Sequence, residues 1–146
     1  RPYIVYGPGR DQGMTSSPTK AMLAAALGQP YHIPYGGRSM YQYADDTARI
    51  FIRSARTTFQ GADVFNLRGS VVRMSEIVSA VQAVEPNAKL TFDDKQLPFP
   101  EEMEDAALAS VLGGLDYTPL EHGVAETIAV FKSAVAAGRL TADALR

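Results

Sequence analysis

An α/β fold with a helical tail is what this sequence predicts, and three observations carry the expectation. Tyr3-Ile4-Val5-Tyr6 is apolar at consecutive positions and breaks on Gly7-Pro8-Gly9, the pattern of a strand covered on both faces that ends in a loop. Short β-type runs then alternate with stretches of helical periodicity through the middle of the chain. Beyond Thr118 one long helix is expected, with Leu120, Val124, Ile128, Phe131 and Val135 on one face.

At 146 residues, 46% of them hydrophobic, the chain can bury a core. A formal net charge of −2 with acids and bases interspersed gives no footprint for nucleic acid or an anionic membrane. Cysteine is absent, which excludes disulfides and thiolate metal sites and is compatible with a reducing, cytoplasmic location. No apolar run approaches a membrane span. The first strand has no preceding strand to pair with, so the chain is expected to be the C-terminal half of a larger α/β protein.

The elements follow in order. Ser17 is expected at the N-cap of the first helix with Pro18 at its first position, and Gly28 at its end. Tyr31 to Tyr35 reads as a short strand closed by Gly36-Gly37, and Tyr41 to Tyr43 as a brief extended piece. Asp45 and Asp46 then open a second helix at its positive dipole end, with Ala48, Phe51, Ile52 and Ala55 as its apolar stripe and Arg49, Arg53 and Arg56 opposite. Val64 to Leu67 is the next expected strand. Met74, Ile77, Val78, Val81 and Val84 keep helical spacing until Pro86, and Ala88, Leu90 and Phe92 alternate as a half-buried strand. A proline-rich loop leads to an acidic helix start at Glu101, Glu102, Glu104 and Asp105, and Thr118-Pro119-Leu120-Glu121 reads as a capping box.

Candidate chemistry is sparse. His32 and His122 have no acidic partner at ligand spacing, so no metal site is expected. Asp45 and Asp46 are neighbours that point apart on a helix, which favours capping over a paired-carboxylate site. No residue set for catalysis stands out. The loops after strand ends are where α/β sheets collect ligands, and Arg38, just past the second strand, is either a surface residue or an anion contact through its planar fork.

Four segments, in order, resemble the extended short-chain dehydrogenases/reductases, the NAD-dependent epimerase/dehydratase family. They are Arg1-Pro2-Tyr3-Ile4-Val5-Tyr6-Gly7-Pro8-Gly9, Tyr41-Gln42-Tyr43-Ala44-Asp45-Asp46, Phe65-Asn66-Leu67, and Leu112-Gly113 with Thr118-Pro119-Leu120-Glu121-His122-Gly123-Val124. The resemblance implies the C-terminal end of a Rossmann-type parallel sheet plus a small mixed α/β substrate-binding domain, spanning residues 1–146, with the N-terminal Rossmann domain lying outside this sequence. It implies NAD or NADP as cofactor, a small-molecule substrate such as a sugar or nucleotide-sugar, and a homodimeric parent. The family's glycine-rich loop and catalytic Tyr and Lys have no counterpart here, so the chain alone is expected to be inactive. Pro2, Tyr3, Ile4 and Val5 match positions whose backbone flanks the nicotinamide. Ser17, Pro18, His32, Ile33, Arg38 and Tyr41 match positions or segments that line the substrate.

Three departures bear on the substrate. Ile4 stands where many members have Asn. Ser39 stands at the usual phosphate-binding Arg, with Arg38 one step earlier. Asp93 stands at the Arg of the nucleotide clamp, placing a negative charge where a diphosphate or ribose would lie. The implied function is therefore a sugar or nucleotide-sugar epimerase or dehydratase; a dehydrogenase/reductase of a smaller hydroxy or keto substrate, or a non-catalytic cofactor-binding protein, are the alternatives.

Overall fold

The computed structural model describes residues 1–145. The elements run β1 (Ile4–Tyr6), α1 (Ser17–Leu27), β2 (Tyr31–Ile33), β3 (Arg38–Tyr43), α2 (Ala44–Arg56), β4 (Ser70–Arg73), α3 (Met74–Val84), β5 (Leu90–Phe92), α4 (Ala106–Leu112) and α5 (Leu120–Ala136), followed by a 3-10 turn at Ala142–Leu145. The α/β expectation holds, with a mixed rather than wholly parallel arrangement. One sheet has the order β1-β3-β4 and the other pairs β2 with β5. β1 runs parallel to β3 with Ile4 opposite Tyr41 and Tyr6 opposite Tyr43, while β4 returns antiparallel with Ser70 opposite Tyr41.

β3 is longer than its sequence suggests and positions everything else. Five of its six residues are buried, because it is covered on both faces. Tyr41 and Tyr43 join Ile4 and Tyr6 of β1 in the main core with Met22 of α1, Ile77 and Val81 of α3, and Val124, Ile128 and Phe131 of α5. Met40 and Gln42 alternate to the opposite face. A smaller cluster of Ile50, Leu67 and Leu108 joins α2 to α4.

The structure moves several expected boundaries. Ser16, not Ser17, is the N-cap of α1, and its hydroxyl donates to the Gly13 carbonyl at 2.8 Å instead of capping the helix. Val64 to Leu67 is not a strand; the strand forms at Ser70–Arg73. The earlier segment meets the first residue instead: Arg1 N donates to Phe65 O and Leu67 N donates to Arg1 O at 3.1 Å, the two bonds that bracket one residue in a parallel ladder. The acidic residues 101–105 precede α4 as a strap without regular secondary structure.

The apolar stripe expected on α2 is also reversed. Ala48, Phe51, Ile52 and Ala55 are exposed, whereas Asp46 and Ile50 are buried. Asp46 explains the rotation. Its carboxylate accepts from Thr118 N at 2.7 Å and from Thr118 Oγ1 at 2.8 Å, so α2 turns Asp46, Ile50 and Arg53 inward. Arg53 donates to the carbonyls of Leu112 and Gly114 at 2.7 and 2.9 Å, satisfying groups at the end of α4. Thr118 is thereby committed to α2, and the capping box expected at Thr118-Pro119-Leu120-Glu121 does not form; Pro119 is the N-cap of α5.

Candidate functional site

Because β3 runs parallel to β1, Tyr3 and Arg38 lie at the same end of the sheet, and the strap 97–105 crosses that end. Phe99 packs edge-on against Tyr3 with ring centroids 6.4 Å apart, and the Tyr3 hydroxyl donates to Met103 Sδ. Glu102 Oε2 accepts from Arg38 Nη2 at 2.8 Å. Glu102 Oε1 accepts from Arg68 Nε at 3.0 Å and also from Arg68 Nη2. First the Arg68 guanidinium and then that of Arg38 hold the Glu102 carboxyl below the usual carboxylate range.

Gln42, absent from any sequence-based list of site residues, organises the same end. It is fully buried. Its Oε1 accepts from Tyr3 N at 2.7 Å, and its Nε2 donates to Leu67 O at 3.2 Å and Arg68 O at 3.0 Å. One side chain thus fixes the backbone of Tyr3 and of the segment that delivers Arg68. A glutamine flanked by two tyrosines in an extended segment was the available signal, since a buried amide must find partners.

The proposed cofactor-flanking residues are contiguous at this end. Pro2 is exposed and Tyr3 half-buried, while the Ile4 side chain is fully buried and that of Val5 partly so. In the turn that follows, two of the backbone N–H groups are taken within the chain: Gly7 N donates to Thr19 Oγ1 and Arg10 N to Gly7 O, both at 3.1 Å.

The substrate candidates divide among four places. Arg38 lies in the site, partly exposed. Tyr41 and Ile33 are core side chains at 1% and 0% exposure, and Tyr41, like Tyr6 and Tyr35, has its hydroxyl pKa pushed up chiefly by burial. Ser17 and Pro18 are buried in the first turn of α1. His32 lies on the second sheet, exposed, where its Nδ1 meets Thr91 Oγ1 at 2.8 Å and its Nε2 meets Asp93 at 3.1 Å. Asp93, at the clamp position, is thereby turned to His32.

On the far side of β3 the Tyr43 hydroxyl donates to Glu126 at 3.0 Å. Burial, then that bond, pushes its pKa up to about 12. Together with Pro8, Asp45 and Val130 these residues line an open cleft of about 690 Å³. Among the described residues no group of three or more His, Cys, Asp or Glu side chains could hold a metal, and no helix is long and apolar enough to cross a membrane.

No protein-family model matches the sequence, and no curated protein matches it. Solved structures do match in fold. MoeE5, in complex with UDP-glucuronic acid and NAD, superposes with a TM-score of 0.76 at 23% identity over 92% of this chain and 46% of its own. A partial-consensus L-threonine 3-dehydrogenase gives 0.79 at 17% identity over 88% and 46%. The UDP-glucose 4-epimerase of Thermotoga maritima, with UDP-glucose, gives 0.75 at 18% over 92% and 45%. The fold is that of the C-terminal portion of the extended short-chain dehydrogenases/reductases. The chain spans less than half the length of each structure named here.

Proposed function

We propose that this chain is the substrate-binding C-terminal part of an NAD(P)-dependent epimerase or dehydratase of the extended short-chain dehydrogenase/reductase family, acting on a sugar or nucleotide-sugar. The observation that carries the reading is the convergence of Tyr3, Arg38 and the strap at one end of the β1–β3 pair. In that reading the backbone from Pro2 to Val5 walls the nicotinamide, and Arg38 meets the anionic part of the substrate. The cofactor would supply hydride transfer; the residues of this chain bind and orient. The general acid/base and most of the dinucleotide site belong to an N-terminal domain. The unpaired edge of β1 and the exposed stripe of α2 suit contact with that domain.

The chain alone is then inactive and binds NAD and NADP poorly. Isothermal titration with either nucleotide tests this, and micromolar affinity would refute it. In a parent carrying both domains, Arg38→Ala should raise KM for a nucleotide-sugar by the loss of a charge-assisted contact, about 1.5–3 kcal/mol. Unchanged kinetics would remove Arg38 from the site.

A second reading, a dehydrogenase of a smaller hydroxy substrate, is favoured by Asp93. The clamp position is acidic and paired with His32, which leaves a nucleotide less to hold. Turnover of a small hydroxy acid with net NAD reduction, and none of any UDP-sugar, would select it.

A further inference from the structure

We propose that Arg38 and Arg68 form a two-armed receptor for the anionic part of a ligand, and that Glu102 on the strap occupies it as an intramolecular stand-in until the ligand displaces it. The proposal rests on the reading of Arg38 as a phosphate contact; Arg68 and Glu102 are additions to it.

The two arginines come from different places, the head of β3 and the turn before β4, yet both forks end on one carboxylate. Two guanidiniums brought together repel, and the arrangement is favourable only with an anion between them. Planar forks converging from two sides are what recognise a phosphate or carboxylate oxygen set. Glu102 supplies that anion now, with Glu101 4.0 Å from Arg38 behind it.

The stand-in is poorly anchored. Between the bridge that joins Gln96 to Gly36 and the start of α4, residues 97–105 contain no helix or strand. They are held mostly by side-chain contacts: Leu97 against the edge of the main core, Phe99 and Met103 to Tyr3, Gln96 to Glu101 at 3.1 Å, and Asp105 to Tyr117 at 2.6 Å and to Arg68 N at 3.4 Å. The Glu102 and Arg38 side chains keep 31% and 34% of their surface exposed, so the pair is worth little against solvent. A segment with few buried contacts opens at low cost. A ligand phosphate, carrying more charge and more acceptor oxygens than one carboxylate, would win the exchange. The strap, which also contacts Tyr3, would then be released over the proposed nicotinamide wall.

The test uses inorganic pyrophosphate, which needs neither sugar nor cofactor. Titration calorimetry compares the chain with its Glu102→Gln, Arg68→Ala and double variants. If the receptor is closed nine-tenths of the time, Glu102→Gln should bind about tenfold tighter, Arg68→Ala should lose binding, and the double variant should show no gain. Glu102→Gln binding no tighter than the parent chain, or Arg68→Ala binding as well as it, would overturn the proposal. Limited proteolysis of the unaltered chain decides the matter if a variant does not fold: saturating pyrophosphate should speed cleavage within residues 97–105, and unchanged cleavage would overturn it. A parent that rejects every nucleotide-sugar while its pyrophosphate results stand would cost the substrate reading alone.

Discussion

Replacing Gln42 by leucine should cost this chain about 3 kcal/mol of stability. The substitution keeps the volume close but removes one acceptor and two donated bonds, those to Tyr3 N, Leu67 O and Arg68 O. A stranded buried polar group costs about 1–3 kcal/mol. Only the bond to Leu67 lies between fully buried groups; Tyr3 and Arg68 are partly open, and water recovers part of their loss. Leucine returns some transfer energy, so the net stays near the bottom of the summed range. Against a total stability of about 5–15 kcal/mol that is a large fraction, and at this size it lowers Tm by about 6–12 °C. Gln42→Glu should be worse, since carboxylate oxygens would face two carbonyls. Urea unfolding at constant m-value measures both variants, and hydrogen exchange at the Tyr3 amide should accelerate in each. A Gln42→Leu change within about 0.5 kcal/mol of the parent chain, the scale of an ordinary surface substitution, or a Gln42→Glu variant milder than Gln42→Leu, would refute the hub.

Three further outcomes are expected. A methyl at Gly123 would overlap the Tyr6 hydroxyl, which is buried without a hydrogen-bond partner among the described residues; Gly123→Ala should cost about 1–3 kcal/mol, and Tyr6→Phe should be near neutral alone and recover most of that loss in a double-mutant cycle by chemical denaturation. Arg68 and Arg38 depress the Glu102 pKa, so this group contributes stability above the ordinary glutamate range and loses it as pH falls through the lowered value; the acid limb of a pH–stability curve should flatten in Glu102→Gln. Phe51→Ser with Ile52→Ser should leave stability of the isolated chain within about 0.5 kcal/mol and reduce self-association in sedimentation, whereas a loss above about 2 kcal/mol would mean those side chains are packed.

The sequence was most legible where local chemistry and tertiary structure agree. Met74–Val84 forms as a helix because its apolar positions face the core and Pro86 stops it. It was least legible where a side chain serves a distant partner. Thr118 and Glu121 spell a capping box, but the box is a local offer, and Asp46 of α2 outbids it with two bonds to Thr118. The acidic run from Glu101 suits a helix start by the dipole argument, yet Arg38 and Arg68 draw Glu102 onto the sheet end and leave the run outside α4. Neither competition has a signature within a window of neighbours.

The α2 stripe is a different kind of miss. Ala48, Phe51, Ile52 and Ala55 do repeat at helical spacing, and Phe51 and Ile52 are 56% and 51% exposed, so the period was read correctly and the face assigned to the wrong partner. Two sides of one helix are occupied by different demands: Asp46, Ile50 and Arg53 bind it to α4 and to Thr118 ahead of α5, and the apolar side is left over. An apolar stripe that the chain's own packing does not use describes contacts to something else. This chain covers less than half of each matched structure, and β1 beside α2 is an edge strand. The amphipathic pattern of α2 thus reports two demands on one helix, of which the described packing satisfies the one set by Asp46, Ile50 and Arg53.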